Sequence, residues 1–124
     1  MQDELKIFFD AYKASFSQGP AQIAAFYSEP CVTARMGVVR VNPTLKETEA
    51  LFAEVDRQYR ARGFTNGEYL VEEFRPLGAN SAMATVHWAY KNARGDILWE
   101  TTFSYNLYRR DGGWKILVQT MHDS

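Results

Sequence analysis

The apolar residues of this chain change their spacing once, near Thr65, and that change constrains the fold more than any other feature. Upstream they recur every three or four residues. Downstream they alternate. Helices first and a run of alternating strands afterwards put the helices on one face of an antiparallel sheet, which is the α+β class. The expected architecture is three N-terminal helices packed on a strongly curved, mostly antiparallel sheet that forms a cone with an internal pocket. Residues 1–124 read as a single domain, with no linker, repeat or low-complexity tract.

The first helix carries Leu5, Phe8, Phe9, Tyr12 and Phe16 on one stripe, with Asp3 as its expected N-cap and Gly19 as its end. Pro20 suits the first turn of a short second helix that stops before Pro30. Cys31 to Met36 and Val38 to Val41 read as two short strands around Gly37. Thr44-Leu45-Lys46-Glu47 is a capping box opening a third helix that ends at Gly63. Glu68 to Leu77, Ala82 to Lys91, Ile97 to Arg109 and Trp114 to His122 are the long strands. Alternation assigns Val86, Trp88 and Tyr90, then Phe103, Tyr105 and Leu107, then Ile116, Val118, Thr120 and His122 to the concave face. Thr85, His87, Ala89, Thr102, Ser104, Asn106, Tyr108, Lys115, Leu117, Gln119 and Met121 then form an outer face of mixed polarity.

Composition narrows the function. Net charge is −1 with no run of like charge, so nucleic acid and anionic membrane are not the expected partners. The single cysteine, Cys31, excludes an intrachain disulfide and a cysteine-based zinc site, and neither a metal nor another cofactor is expected. No leader or membrane-spanning run is apparent, and the expected location is cytoplasmic. Aromatic residues make up 15% of the chain; some belong to the core, but aromatics on a sheet also line ligand pockets.

The segments FFDAYKASFSQGPAQIAAFYSEP and YNLYRRDGGWKILVQTMHDS, in this order of elements, resemble the nuclear transport factor 2-like superfamily and its SnoaL-like branch. The resemblance covers nearly the whole chain. It implies a sheet curled around the long helix, with a pocket at the wide end. It does not imply one activity, because this fold carries isomerases, dehydratases, cyclases, binding subunits and association modules. Ketosteroid isomerisation on this fold uses a helical Tyr and a protonated late-strand Asp as oxyanion donors, with an Asp base near the end of the first strand. Tyr12 matches the helical donor and Tyr105 takes the second position. Arg35 or Met36 falls where the base would stand, so that chemistry is not expected.

Tyr12, Tyr105 and His122 are therefore the candidate catalytic groups, each with a plainer reading: two core tyrosines and a half-exposed terminal histidine. Phe16, Arg35, Trp88, Tyr90, Phe103, Val118 and Thr120 are the candidate ligand-binding residues. Arg35 is either a clamp for a carboxylate or enolate, or one half of an ion pair with Glu72 or Glu73. His87 faces away, and the two histidines are expected to lie on opposite faces. Two functions stay open. The first is a small-molecule site for a flat apolar or aromatic ligand, with weak acid–base activity of the isomerase, dehydratase or hydrolase kind or with binding alone. The second is a non-catalytic interaction module with a filled cone. In either case a homodimer through the outer sheet face is expected.

Overall fold

The computed structural model describes residues 2–123. The elements run α1 (Gln2–Ser15), α2 (Pro20–Ala24), β1 (Tyr27–Arg35), β2 (Val38–Asn42), α3 (Leu45–Ala61), β3 (Asn66–Pro76), β4 (Ser81–Lys91), β5 (Ile97–Arg110) and β6 (Gly113–Met121). One six-stranded sheet, ordered β2-β1-β6-β5-β4-β3, holds every strand. All neighbours are antiparallel except β1 and β6. The three helices lie against the inner face of this curved, unclosed sheet. Among the described residues no helix is long and apolar enough to cross a membrane.

The helix periodicity has the expected consequence. Leu5, Phe8, Phe9 and Tyr12 are buried, while Lys6 and Asp10 face water as an i,i+4 ion pair. Asp3 lies within the first turn of α1 rather than before it, where its charge favours the helix dipole. The capping box of α3 is present: the Thr44 hydroxyl accepts from the Glu47 amide, and the Glu47 carboxylate accepts from the Thr44 amide. Gly63, at φ 98°, makes the left-handed step that ends α3 and turns the chain into the sheet. The first strand starts at Tyr27, four residues ahead of the expected Cys31, because Tyr27 pairs with Ile116 of β6 and turns its ring into the core.

The inner face is almost wholly aromatic. Phe9 of α1 packs on Tyr105 at 5.4 Å between ring centroids, and Tyr12 meets Trp88 at 6.1 Å. Rings of this size bury roughly 150–250 Å² each, and at about 25 cal/mol per Å² each contributes on the order of 4–6 kcal/mol before conformational entropy is subtracted.

One irregularity redirects half a strand. Leu107 and Asn106, consecutive on β5, pair with Ile116 and Val118, so Leu117 is an extra residue on β6. Ile116 points inward, and beyond the bulge the phase reverses. Gln119 pairs with Tyr105 and Met121 with Phe103, both on the inner side. Val118 and Thr120 pair with Asn106 and Ser104, on the outer side. Strict alternation had placed these residues on the other faces.

Candidate functional site

A chamber of about 50 Å³ lies between the inner face of the sheet and the helices. The first helix supplies Tyr12, with Phe16 just beyond its end. The second supplies Ile23. One face of α3 supplies Phe52, Val55, Asp56 and Tyr59. The sheet supplies Arg35 from the end of β1, Trp88 and Tyr90 from β4, Phe103 and Tyr105 from β5, and Gln119 from β6. Seven of the ten residues singled out from sequence thus meet in one place: Tyr12, Phe16, Arg35, Trp88, Tyr90, Phe103 and Tyr105.

The other three do not. Val118, Thr120 and His122 lie past the Leu117 bulge and face outward. His122 Nε2 is 2.7 Å from Ser104 Oγ, which is 3.0 Å from Thr85 Oγ1, all on the outer face. The expectation of a chamber base at His122 is therefore corrected, and the two histidines share a face rather than opposing each other. His87 is held there by Glu100 at 2.8 Å and Thr102 at 3.1 Å.

The polar groups of the chamber form a directed chain. Arg35 Nη1 donates to Gln119 Oε1 at 3.2 Å, which fixes the amide so that Nε2 donates to the Tyr27 hydroxyl at 3.0 Å. The Tyr27 and Tyr12 hydroxyls are 2.5 Å apart. Whichever of these two phenols donates to the other, one phenolic proton remains without a recorded acceptor among the described residues. Trp88 Nε1 donates to the Tyr105 hydroxyl at 2.9 Å, so the Tyr105 proton is also free to turn toward a ligand. Arg35 Nη2 donates to the Tyr59 hydroxyl at 3.1 Å, and the guanidinium lies 5.3 Å from the centre of the Phe103 ring. The alternative partners for Arg35 are elsewhere: Glu73 approaches Arg75 instead.

Burial keeps these phenols neutral. It pushes Tyr12, Tyr27 and Tyr105 well above the ordinary tyrosine range, and the neighbouring hydroxyls of Tyr27 and Tyr12 raise Tyr12 and Tyr105 further. Burial also works against the charge of Arg35, but the Tyr59 and Tyr27 hydroxyls outweigh it, and the guanidinium pKa stands above its usual value. The result is a cation and a set of neutral O–H donors on aromatic walls. Such a set stabilises a carbonyl oxygen or an oxyanion. It contains no evident base. Among the described residues the one carboxylate in the lining is Asp56, and it is bound to Arg60 Nε at 3.0 Å. Met36, at the other position where a base would stand, is 80% exposed.

Tyr27, Asp56, Tyr59 and Gln119 were missed from sequence as site residues. Tyr27 and Tyr59 fit apolar stripes, Asp56 carries no local signal, and Gln119 had been placed on the outer face.

A family model described as NTF2-like protein (DUF6841) matches residues 3–124. No curated protein matches the sequence. Among solved structures, an NTF-2 like protein of unknown function from Shewanella oneidensis MR-1 is similar at TM-score 0.78 and 17% identity, over 98% of each chain. A domain with a cystatin-like fold from Nostoc punctiforme is similar at TM-score 0.79 and 16% identity, over 99% of this chain and 76% of that one. A ketosteroid isomerase-like protein from Erwinia carotovora atroseptica is similar at TM-score 0.68 and 15% identity, over 98% of this chain and 96% of that one. At these identities the likeness is one of fold.

Proposed function

The chain belongs to the NTF2-like family DUF6841, and from that premise we propose that it binds a small molecule in its cone by capturing an acceptor oxygen between Tyr12 and Tyr105. The observation that carries this reading is the chain Arg35–Gln119–Tyr27–Tyr12, in which one phenolic proton, on Tyr27 or on Tyr12, has no recorded acceptor among the described residues. A buried donor left unmatched costs about 1–3 kcal/mol, and a carbonyl oxygen removes that cost. The donors polarise a bound carbonyl. With His122 outside and Asp56 engaged, the reading favours binding, or electrophilic assistance, over proton abstraction. Ligand pockets commonly run about 300–1,000 Å³. A chamber of about 50 Å³ admits a compact group. The flat aromatic ligand that the walls suggest needs more room than this, so side chains lining the chamber would have to move to admit it.

The test is a titration with acetone and acetamide, followed by NMR at the Trp88 indole N–H, whose acceptor is Tyr105. Both compounds should shift that resonance. Tyr12→Phe should weaken them about 5- to 10-fold, the worth of one neutral hydrogen bond. If neither compound moves the Trp88 signal, the chamber is not a ligand site.

A second reading concerns the outer face, which we propose joins two copies of the chain. Val39 and Val41 are 71% and 66% exposed there, Leu70 is 64% exposed, and the half-buried Val118 and Asn106 lie between. Met121, first expected on this face, belongs to the inner one. Monomer mass in light scattering at micromolar concentration counts against the dimer. If dimer mass is found, Val118→Arg should abolish it.

A further inference from the structure

Arg35 differs in its surroundings from the paired arginines of the helices and hairpins. Arg57, Arg60 and Arg109 each meet a carboxylate at the surface. The partners of Arg35 are an amide oxygen, a phenol and a ring face, and no carboxylate lies within ion-pair distance of it among the described residues. A guanidinium presents five N–H donors, and two hydrogen bonds to protein are recorded here. The Tyr59 hydroxyl, having accepted from Nη2, keeps its own proton to give. Arg35 and Tyr59 thus form a second donor pole at one end of the chamber, charged where the Tyr12–Tyr105 pole is neutral.

The two poles are close. Three hydrogen bonds of 3.2, 3.0 and 2.5 Å connect Arg35 to Tyr12 through Gln119 and Tyr27. A ligand that satisfies both needs an anionic planar end and a carbonyl a few atoms away. The volume of about 50 Å³ limits the enclosed part to a handful of heavy atoms. The fork geometry of guanidinium matches a carboxylate, and the aromatic walls exclude the water that would otherwise screen the pair.

We infer that the ligand is a compact oxo acid, its carboxylate received by Arg35 and Tyr59 and its carbonyl oxygen by Tyr12 and Tyr105. This rests on the chamber reading above and adds the charge and length of the ligand to it. The arrangement sets specificity by a pair of requirements. A saturated acid leaves the phenols unmatched, and a neutral ketone leaves the cation without an anion.

The experiment compares pyruvate, propionate and pyruvamide by calorimetry and by the Trp88 indole resonance. In the wild type, pyruvate should bind at least about 10-fold tighter than pyruvamide, the scale of a charge-assisted hydrogen bond, and about 5- to 10-fold tighter than propionate. Arg35→Met should remove the advantage of pyruvate and leave pyruvamide nearly unchanged. Arg35→Lys, which keeps the charge without the fork, should retain part of it. Tyr12→Phe should weaken pyruvate and pyruvamide but spare propionate. The wild-type comparison needs no variant, so a misfolded Arg35→Met does not blunt the test. Equal binding of pyruvate and pyruvamide overturns the oxo-acid inference, as does parallel weakening of both in Arg35→Met. If acetone and acetamide bind while both acids fail, this inference falls and the chamber reading stands. If none of the five compounds binds, both fall.

Discussion

Raising the pH past about 10 should unfold this protein in a single step in which Tyr12, Tyr27 and Tyr105 ionise together. All three phenols are held well above their ordinary range, first by burial. In the unfolded chain they titrate near 10. Below that pH, folded and unfolded states hold the same phenolic protons, and the stability is complete. Above it the unfolded state loses protons that the folded state keeps, so stability declines. The slope is about 1.4 kcal/mol per pH unit for each phenol, or roughly 4 kcal/mol per unit for the three. A domain with about 5–15 kcal/mol in reserve loses its margin within a few units. Tyr90 pulls in the same direction, also raised first by burial. Tyrosinate absorbance from these buried phenols and far-ultraviolet circular dichroism should therefore change together. Tyr27→Phe should remove about a third of the part of the slope that these three phenols carry. If every tyrosine ionises near pH 10 with the dichroism intact, the cluster is wetter than its geometry states.

That cluster shows what periodicity can convey. Phe8, Phe9 and Tyr12 fall on a helical stripe, and Trp88, Tyr90, Phe103 and Tyr105 fall on alternating positions. Each element writes its inward face in its own short-range spacing. Arg35 was singled out differently, from its place at the end of the first short strand, where the family resemblance would put a base. Tyr59 and Asp56 were not legible as site residues, because what makes them so is a contact with groups far away in sequence. Arg35 reaches Tyr59 across 24 positions and Gln119 across 84. Nothing local in α3 or β6 records that. The start of β1 at Tyr27 was hidden likewise, because its parallel partner is β6, the last strand to be made.

Gln119→Leu should cost more stability than any surface change and should dismantle the chamber network. The bulge at Leu117 leaves no compositional trace: Ile116, Val118 and Thr120 make as plausible an inner row as Leu117, Gln119 and Met121. The structure distinguishes them by what Gln119 does. It is 2% exposed, accepts from Arg35 and donates to Tyr27. Leucine fills a similar volume but offers neither group. Arg35 and Tyr27 then each lose a partner inside the protein, at about 1–3 kcal/mol apiece, or about 2–6 kcal/mol together. That is a large share of the about 5–15 kcal/mol that holds a domain of ordinary stability. Deleting Leu117 is the control. Ile116 and Val118 then become consecutive opposite Leu107 and Asn106, so the ladder closes over the bulge and Gln119 still faces inward against Tyr105. The deletion should therefore keep the Arg35–Gln119–Tyr27 chain and cost less than Gln119→Leu. Urea unfolding of the two variants, read at Trp88, separates the cases. A Gln119→Leu protein within about 1 kcal/mol of the parent would mean that the buried amide contributes little to holding the inner row of β6.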